Sequence, residues 1–216
     1  MTTILEPESM LKSGFKVYLA TRSPRRRELL RQIGIEFELI LLREQSPRGP
    51  DVSETIFRGE SAQDYVRRVC RAKARAAWTR VEERSIRSYP ILAADTVVEV
   101  DGVLLGKPTD HADAARMLGL LSAKTHHVLT AVAMQFADRL EMAVSRSSVT
   151  MRELSVMDIA AYVDSGEPMG KAGAYAIQGR AAAFIPELRG SYSGVMGLPL
   201  YETMELVKRF ADERRA

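Results

Sequence analysis

The chain has 216 residues, of which 46% are apolar and 6% aromatic, and a formal charge of +3. That length suits one domain or two lobes sharing a cleft, and the apolar share supports an ordinary core. Charges of mixed sign and few aromatics argue against a dedicated nucleic-acid face, and no run approaches the roughly 18 apolar residues of a membrane span.

Residues 1–14 carry acids and a proline where a signal peptide would need an apolar stretch, so they read as a frayed leader before a single domain over 15–212. Residues 17–20 read as a strand and 24–33 as a helix. Ser23 is a good N-cap and Pro24 suits the first helical position. Arg25, Arg26 and Arg27 then crowd the first turn, where the helix end is already positive. Each is unfavourable there by roughly 0.3–1 kcal/mol unless an anion arrives. Free N–H groups, a hydroxyl and guanidiniums together make a phosphate cradle. The plainer alternative is three solvated arginines.

Gly34 ends the helix, and residues 37–42 read as a second strand. A loop of roughly 15 residues follows, long enough to be a lid, and it holds the acids Asp51, Glu54 and Glu60. Ser61, with Asp64 three residues on, caps a helix to about Glu82. Its apolar stripe runs through Tyr65, Val66, Val69, Ala72, Ala76 and Ala77. Lys73 falls on that stripe, either snorkelling or aimed at an anion in a cleft. Cys70, the only cysteine, faces into the helix; it excludes an internal disulfide and fits a reducing cytoplasm.

Residues 91–100 read as a buried strand interrupted by Asp95, whose carboxylate needs a cation, a metal or strong donors. Asp101-Gly102 is a two-residue hairpin turn. Residues pairing across it sum to 203, which sets Lys107 opposite Thr96 and beside Asp95. That pair is either a structural salt bridge or two walls of a phosphate site. Thr109 or Asp110 caps a helix to about Leu121, and residues 126–136 and 140–151 form a long hairpin. His126 and His127 lack partners at metal-ligand spacing and read as structural; His111 carries no signal. Ser155 caps a helix to Val163. Residues 166–200 are dense in glycine, and Gln178 closes a short strand over 175–177, as a ligand-facing amide or a plain turn residue. Pro199 opens the last helix, with Leu200, Met204, Val207 and Phe210 as its stripe.

Cations, carboxylates and a long acidic loop suit chemistry on a polyphosphate, yet neither a GxxxxGK[ST] nor a GxGxxG loop is present. The segments LATRSPRRRELL, ESAQDYVRRVCRAKARAA, ILAADTVVEVDGVLLGKP, LSAKTHHVLTAV and YVDSGEPMGKAGAYAIQG, followed by GSYSGVMGLPL, occur in order. With them the chain resembles the Maf family of nucleoside triphosphate pyrophosphatases from about residue 16 to 210. The resemblance implies an α/β fold: a mixed twisted sheet with flanking helices, in two lobes around a central cleft. It implies hydrolysis of a nucleoside triphosphate to the monophosphate and pyrophosphate with Mg²⁺ or Mn²⁺.

By the same resemblance Asp95 is the proton acceptor, Ser23, Arg26, Lys73 and Lys107 bind substrate, and Glu54 joins Asp95 at the metal. Arg25, Thr96 and Gln178 fall on the specificity positions, in the combination of the branch acting on dTTP and UTP. The branch acting on 7-methyl-GTP has Trp, Gln and Glu there instead. Thr21, Ala123 and the stretch SYSGV depart from the usual pattern. The implied partner is the nucleotide, with no nucleic acid or membrane; a homodimer is left open. The rival reading is a non-catalytic nucleotide-binding regulator of cell division.

Overall fold

The structure is a computed structural model and describes residues 15–43 and 49–212. The leader expected over 1–14, part of the loop after Arg43, and the tail past 212 lie outside the described residues.

Among the described residues, seven strands form one mixed sheet: β1 (Lys16–Ala20), β2 (Glu36–Leu39), β3 (Ile91–Val100), β4 (Val103–Leu105), β5 (Thr125–Phe136), β6 (Arg139–Thr150) and β7 (Glu187–Arg189). The spatial order is β2-β1-β3-β5-β6-β7, with β4 also paired to β3. β1 runs parallel to β2 and β3, while β3, β5, β6 and β7 pair antiparallel in turn. The helices are α1 (Pro24–Gln32), α2 (Ala62–Glu83), α3 (His111–Leu121), α4 (Val156–Asp164), α5 (Tyr192–Met196) and α6 (Leu200–Asp212). This is the mixed α/β architecture that the alternation of helical and strand periods implies.

Three caps behave as their residue types dictate. Ser61, Asp110 and Ser155 each accept a bond from the backbone N–H three residues on, at Asp64, Asp113 and Asp158. Each such cap contributes about 1 kcal/mol. The Asp101-Gly102 turn has positive φ at both residues, 51° and 77°, as a tight hairpin with right-handed strand twist requires.

β3 is the spine, because both of its faces are covered. Ile91, Ala93 and Val97 pack with Val66, Val69, Cys70 and Ala77 of α2. Leu92 and Ala94, on the other face, pack with Leu29 and Leu30 of α1 and with Leu206 and Phe210 of α6. Alternation thus sends Asp95 to the α2 face and Thr96 to the opposite one. A third cluster, with Val98, Leu118, Val149, Tyr162 and Tyr175, fills the far end under α3 and α4.

The spine also has a break beside it. β1 pairs with β3 only as far as Ala93, and β4 joins the same edge only from Val98. Among the described residues, 94–97 therefore have no strand neighbour on that edge. A cleft of about 710 Å³ opens there. It is lined from both sides of the gap, by the loop after β1, by α2, and by the glycine-dense segment.

Several expectations need correction. β2 ends at Leu39 rather than 42, since β1 stops at Ala20; the Arg22 guanidinium instead takes the Leu42 carbonyl. On α2 the buried stripe runs through Cys70 and Ala74 as well, while Ala72 and Ala76 are only half-buried. The hairpin register of 203 holds, but the ladder stops at Val98–Leu105, so Lys107 never reaches a position opposite Thr96. The Gly106 carbonyl is taken by the Gly173 N–H at 3.0 Å, and Pro108 has no N–H to offer. Residues 175–177 form no strand; the chain enters them through Gly173 (φ 69°) and Ala174 (φ 59°) and turns at once. Gly173 is required by contact as well, because a Cβ there would lie 2.7 Å from Val98 Cγ2.

Candidate active site

Asp95 is 5% exposed at the broken edge of β3. Its Oδ1 accepts a hydrogen bond from Lys73 Nζ at 2.7 Å. Its Oδ2 is buried and has no partner among the described residues. Lys73 therefore reaches into the cleft from α2 instead of snorkelling. Its Nζ also lies 2.6 Å from Glu54 Oε1. Burial works against the Lys73 charge, but Asp95 and Glu54 outweigh it and raise its pKa. Glu54 Oε2 is in turn 3.3 Å from Lys107 Nζ, so Lys107 pairs with Glu54 where Asp95 was expected. Burial would raise Glu54, yet Lys73 and Lys107 bring it down to about 2. Carboxylate, ammonium, carboxylate, ammonium thus alternate across one wall.

The loop that carries Glu54 is tied to α2. Tyr65 donates its hydroxyl proton to the Glu54 carbonyl at 3.1 Å. Arg68 grips Glu60 with two bonds of 2.6 and 2.8 Å and donates to the Thr55 carbonyl at 2.8 Å. Arg68 has no part in the sequence reading, because an arginine among many on one helix gives no signal of its own. Its bidentate grip on a loop carboxylate is visible only in three dimensions.

On the other face of β3, Arg26 stitches the break. Its Nε donates to the Gly197 carbonyl at 2.6 Å and its Nη1 to the Ala94 carbonyl at 2.8 Å. Its Nη2 donates to Thr96 Oγ1 at 3.1 Å. Three of the five guanidinium N–H groups are thereby used on the protein. Burial lowers the Arg26 pKa, and the nearby Asp95 charge opposes that. Thr130 donates its hydroxyl proton to the Gly194 carbonyl at 2.7 Å, so Thr96 must donate to Thr130 across their 3.0 Å contact. Thr96, a specificity position by resemblance, thus anchors Arg26 and α5 from this side.

Ser23 takes the N-cap position of α1 with extended φ and ψ, but its hydroxyl makes no cap bond. Arg25 and Gln178 line the same cleft as Asp95. Arg25 is half-buried, and its Nε is buried without a partner among the described residues. Burial, and then the Arg26 charge, lower its pKa. Gln178 is exposed to the cleft. Lys171 also lines it and donates to the Met169 carbonyl at 3.2 Å. Burial and then Arg25 lower the Lys171 pKa. Sequence reasoning passed over Lys171; its one signal is a cation inside a glycine-dense turn. Of the expected site residues, Ser23, Arg25, Arg26, Glu54, Lys73, Asp95, Thr96, Lys107 and Gln178 all line this one cleft.

The family model for Maf-like protein matches residues 16–210. The chain belongs to the Maf family. It is 51% identical over 196 residues to the dTTP/UTP pyrophosphatase of Aromatoleum aromaticum, covering 90% of this chain and 95% of that one. It is 52% identical over 194 residues to the dTTP/UTP pyrophosphatase of Dechloromonas aromatica, covering 90% and 96%. The dTTP/UTP pyrophosphatase of Nitrosomonas europaea is 50% identical over 196 residues, covering 91% and 95%.

Within this Maf protein, no group of three or more His, Cys, Asp or Glu among the described residues could hold a metal alone. The donor set fits a different arrangement. Asp95 Oδ2 is an unpartnered hard oxygen, and Glu54 reaches the same ammonium. Mg²⁺ characteristically takes one or two carboxylates and completes its shell with substrate phosphates and water. The His126 ring does not line the cleft: it is buried and bonds the Tyr175 hydroxyl at 2.8 Å, and burial lowers its pKa to about 4. No helix among the described residues is long and apolar enough to cross a membrane.

Proposed function

We propose that this Maf protein hydrolyses dTTP and UTP to the monophosphate and pyrophosphate. The observation that carries the reading is Asp95: a buried carboxylate with one oxygen fixed by Lys73 and the other unpartnered, in a cleft shared with cations and with Arg25, Thr96 and Gln178. Relatives near half identity named for this activity support the substrate class.

In this mechanism Lys73 holds Asp95 Oδ1, and Oδ2 orients a water and receives its proton. The water oxygen bonds the α-phosphorus. The bond from that phosphorus to the bridging oxygen breaks, and pyrophosphate leaves with the electron pair. Lys107 and Lys73 exchange part of their pairing with Glu54 for phosphate oxygens, as oriented cations whose charge is needed most in the transition state. Ser23 and the open N–H groups of α1 meet the same phosphates, and Arg26 offers the N–H groups it does not spend on the protein. Glu54 and Asp95 would hold Mg²⁺ or Mn²⁺, which would supply positive charge against the phosphates. Arg25 and Gln178 present donors and an amide to the base. A pyrimidine imide edge offers acceptor, donor, acceptor, which a cationic donor and a Gln amide can match.

The test is a screen of dTTP, UTP, CTP, ATP and 7-methyl-GTP with and without Mg²⁺ or Mn²⁺, reading pyrophosphate. Metal-dependent release over many turnovers from dTTP and UTP is the expected result. Preference for the methylated purine sinks the substrate assignment. Binding without multiple turnover sinks the enzymatic one.

A further inference from the structure

Gln178 sits on a short turn that leads into a 3-10 helix, Arg180–Phe184, whose N-cap Gly179 has no side chain to fix it. The turn itself is closed by one backbone bond, Gly179 N–H to the Ala176 carbonyl at 2.9 Å. Ala176 and Ile177 are buried at one end of the turn, but a single such bond fixes the backbone beneath the exposed Gln178 less firmly than a rigid element would. Two residues behind the turn change this. Tyr162, on α4, accepts the Ala176 N–H at 3.1 Å with its hydroxyl and donates the hydroxyl proton to Glu167 Oε1 at 2.9 Å. Glu167 Oε2 accepts the Arg180 N–H at 3.2 Å. The backbone is therefore gripped two residues before Gln178 and two residues after it, by one continuous unit.

The space is as constrained as the bonding. A Cβ on Gly179 would lie 2.3 Å from Glu167 Oε1 and 2.6 Å from its Oε2. The turn lies directly on the carboxylate, and glycine is the residue that permits it. Tyr162 is itself fixed: it is 3% exposed, and its ring packs edge-on to Phe184 with centroids 5.5 Å apart. The strut thus runs from the core at α4, through Tyr162 and Glu167, to both ends of the Gln178 turn.

We infer that Tyr162 and Glu167 are positioning residues for base selection: they hold the Gln178 turn so that its amide meets the pyrimidine edge in one orientation. Neither need touch the nucleotide. The inference rests on the substrate reading above, and it adds the residues that make Gln178 selective. An amide can turn either its donor or its acceptor to a ligand, so selectivity needs the backbone beneath it held still.

The experiment compares kcat/KM for UTP and CTP in the wild type, Tyr162→Phe, Glu167→Gln, Gln178→Ala and the double variant Tyr162→Phe/Gln178→Ala. Folding is checked by Tm and circular dichroism. Tyr162→Phe keeps the packed ring and removes the hydroxyl. It should reduce the UTP-over-CTP preference about tenfold, mainly through KM for UTP, the worth of one good hydrogen bond. Adding it to Gln178→Ala should cost no further preference, because both act through one contact. A lower Tm with equal losses on both nucleotides, or additive losses of preference in the double variant, overturns the proposal. Should Tyr162→Phe fail to fold, Gly179→Ala perturbs the same turn from the other side and must give the same loss.

Amide hydrogen exchange at Ala176 and Arg180 reads the strut with no nucleotide present. Faster exchange at both in Tyr162→Phe and Glu167→Gln is expected, and unchanged exchange overturns the strut. A wild type that cleaves neither dTTP nor UTP, with the exchange result as expected, removes the substrate reading and leaves the strut standing.

Discussion

The two sides of the cleft treat their charges in opposite ways. On the α2 side each charge has its counterpart: Lys73 with Asp95 and Glu54, Lys107 with Glu54, Arg68 with Glu60. On the α1 side Arg25 has a buried Nε without a partner, and burial and its neighbouring cations push the pKa values of Arg25 and Lys171 down. The first side is already neutral and must exchange partners when phosphates arrive. The second holds positive charge in reserve for whatever enters. Chemistry on a triphosphate suits the first arrangement, because cations pre-aligned by carboxylates need little reorganisation. Selection among bases suits the second, because a donor left unpaired discriminates against ligands that cannot pair it.

The largest expected effect breaks the paired side at its centre. Asp95→Asn keeps the shape but removes both the charge and the proton acceptor. It should lower kcat for UTP on the order of 10²–10⁴-fold, the worth of a positioned general base. Steady-state pyrophosphate release checks this, and near-normal turnover would remove Asp95 from the mechanism. Lys73→Met comes next. It leaves Asp95 buried without its cation, and breaking such a pair costs about 3–5 kcal/mol. Urea unfolding should show that loss, together with a fall in activity.

Acid separates the two sides further. In the core beneath the glycine-dense segment, burial and then His127 hold His126 at about 4, below its ordinary 6.5. A depressed histidine pKa stabilises the fold above 6.5, and that stability drains as pH falls towards 4. For so deeply buried a ring the loss is on the order of 3 kcal/mol. Glu54 is depressed from 4.5 to about 2, so its contribution survives until pH falls through that lower window. The His126–Tyr175 end should therefore loosen before the paired wall does. Urea midpoints at pH 7, 5 and 4 test the order. His126→Gln should flatten the slope between 6.5 and 4, and an unchanged slope there would assign it to another group.

What could be read from the sequence was what neighbours along the chain decide. The caps at Ser61, Asp110 and Ser155, the Asp101-Gly102 turn with its register, and the long β5–β6 hairpin all follow from local residue chemistry. Asp95 stood out for the same reason: a carboxylate in an apolar run announces a partner. What could not be read depends on contacts distant in sequence. The ladder beside Asp95 breaks because β1 and β4 share one edge of β3 and neither fills it, and no local pattern encodes that. Arg26 spans 171 residues to reach the Gly197 carbonyl. The glycine-dense segment looked like a strand near Gln178, but Gly173 and Ala174 turn the backbone away, and Tyr162 and Glu167 pin the result.

The smallest expected change in stability is also the one that most directly tests the contrast between the sides. If Arg25 is held in reserve for a ligand, the free protein gains little from its charge. Arg25→Met keeps the apolar stem and removes a guanidinium whose Nε has no partner and whose pKa is lowered by burial and by Arg26. Stability should stay within about 0.5 kcal/mol of the wild type, the range of substitutions that break no packed or paired feature. The cost should appear only with substrate, as a raised KM for UTP and a reduced preference over CTP. Urea unfolding and a two-substrate comparison on the same preparation decide it. A stability loss as large as that of Lys73→Met would mean that Arg25 is as firmly paired as the other wall, and the division between the sides would fall.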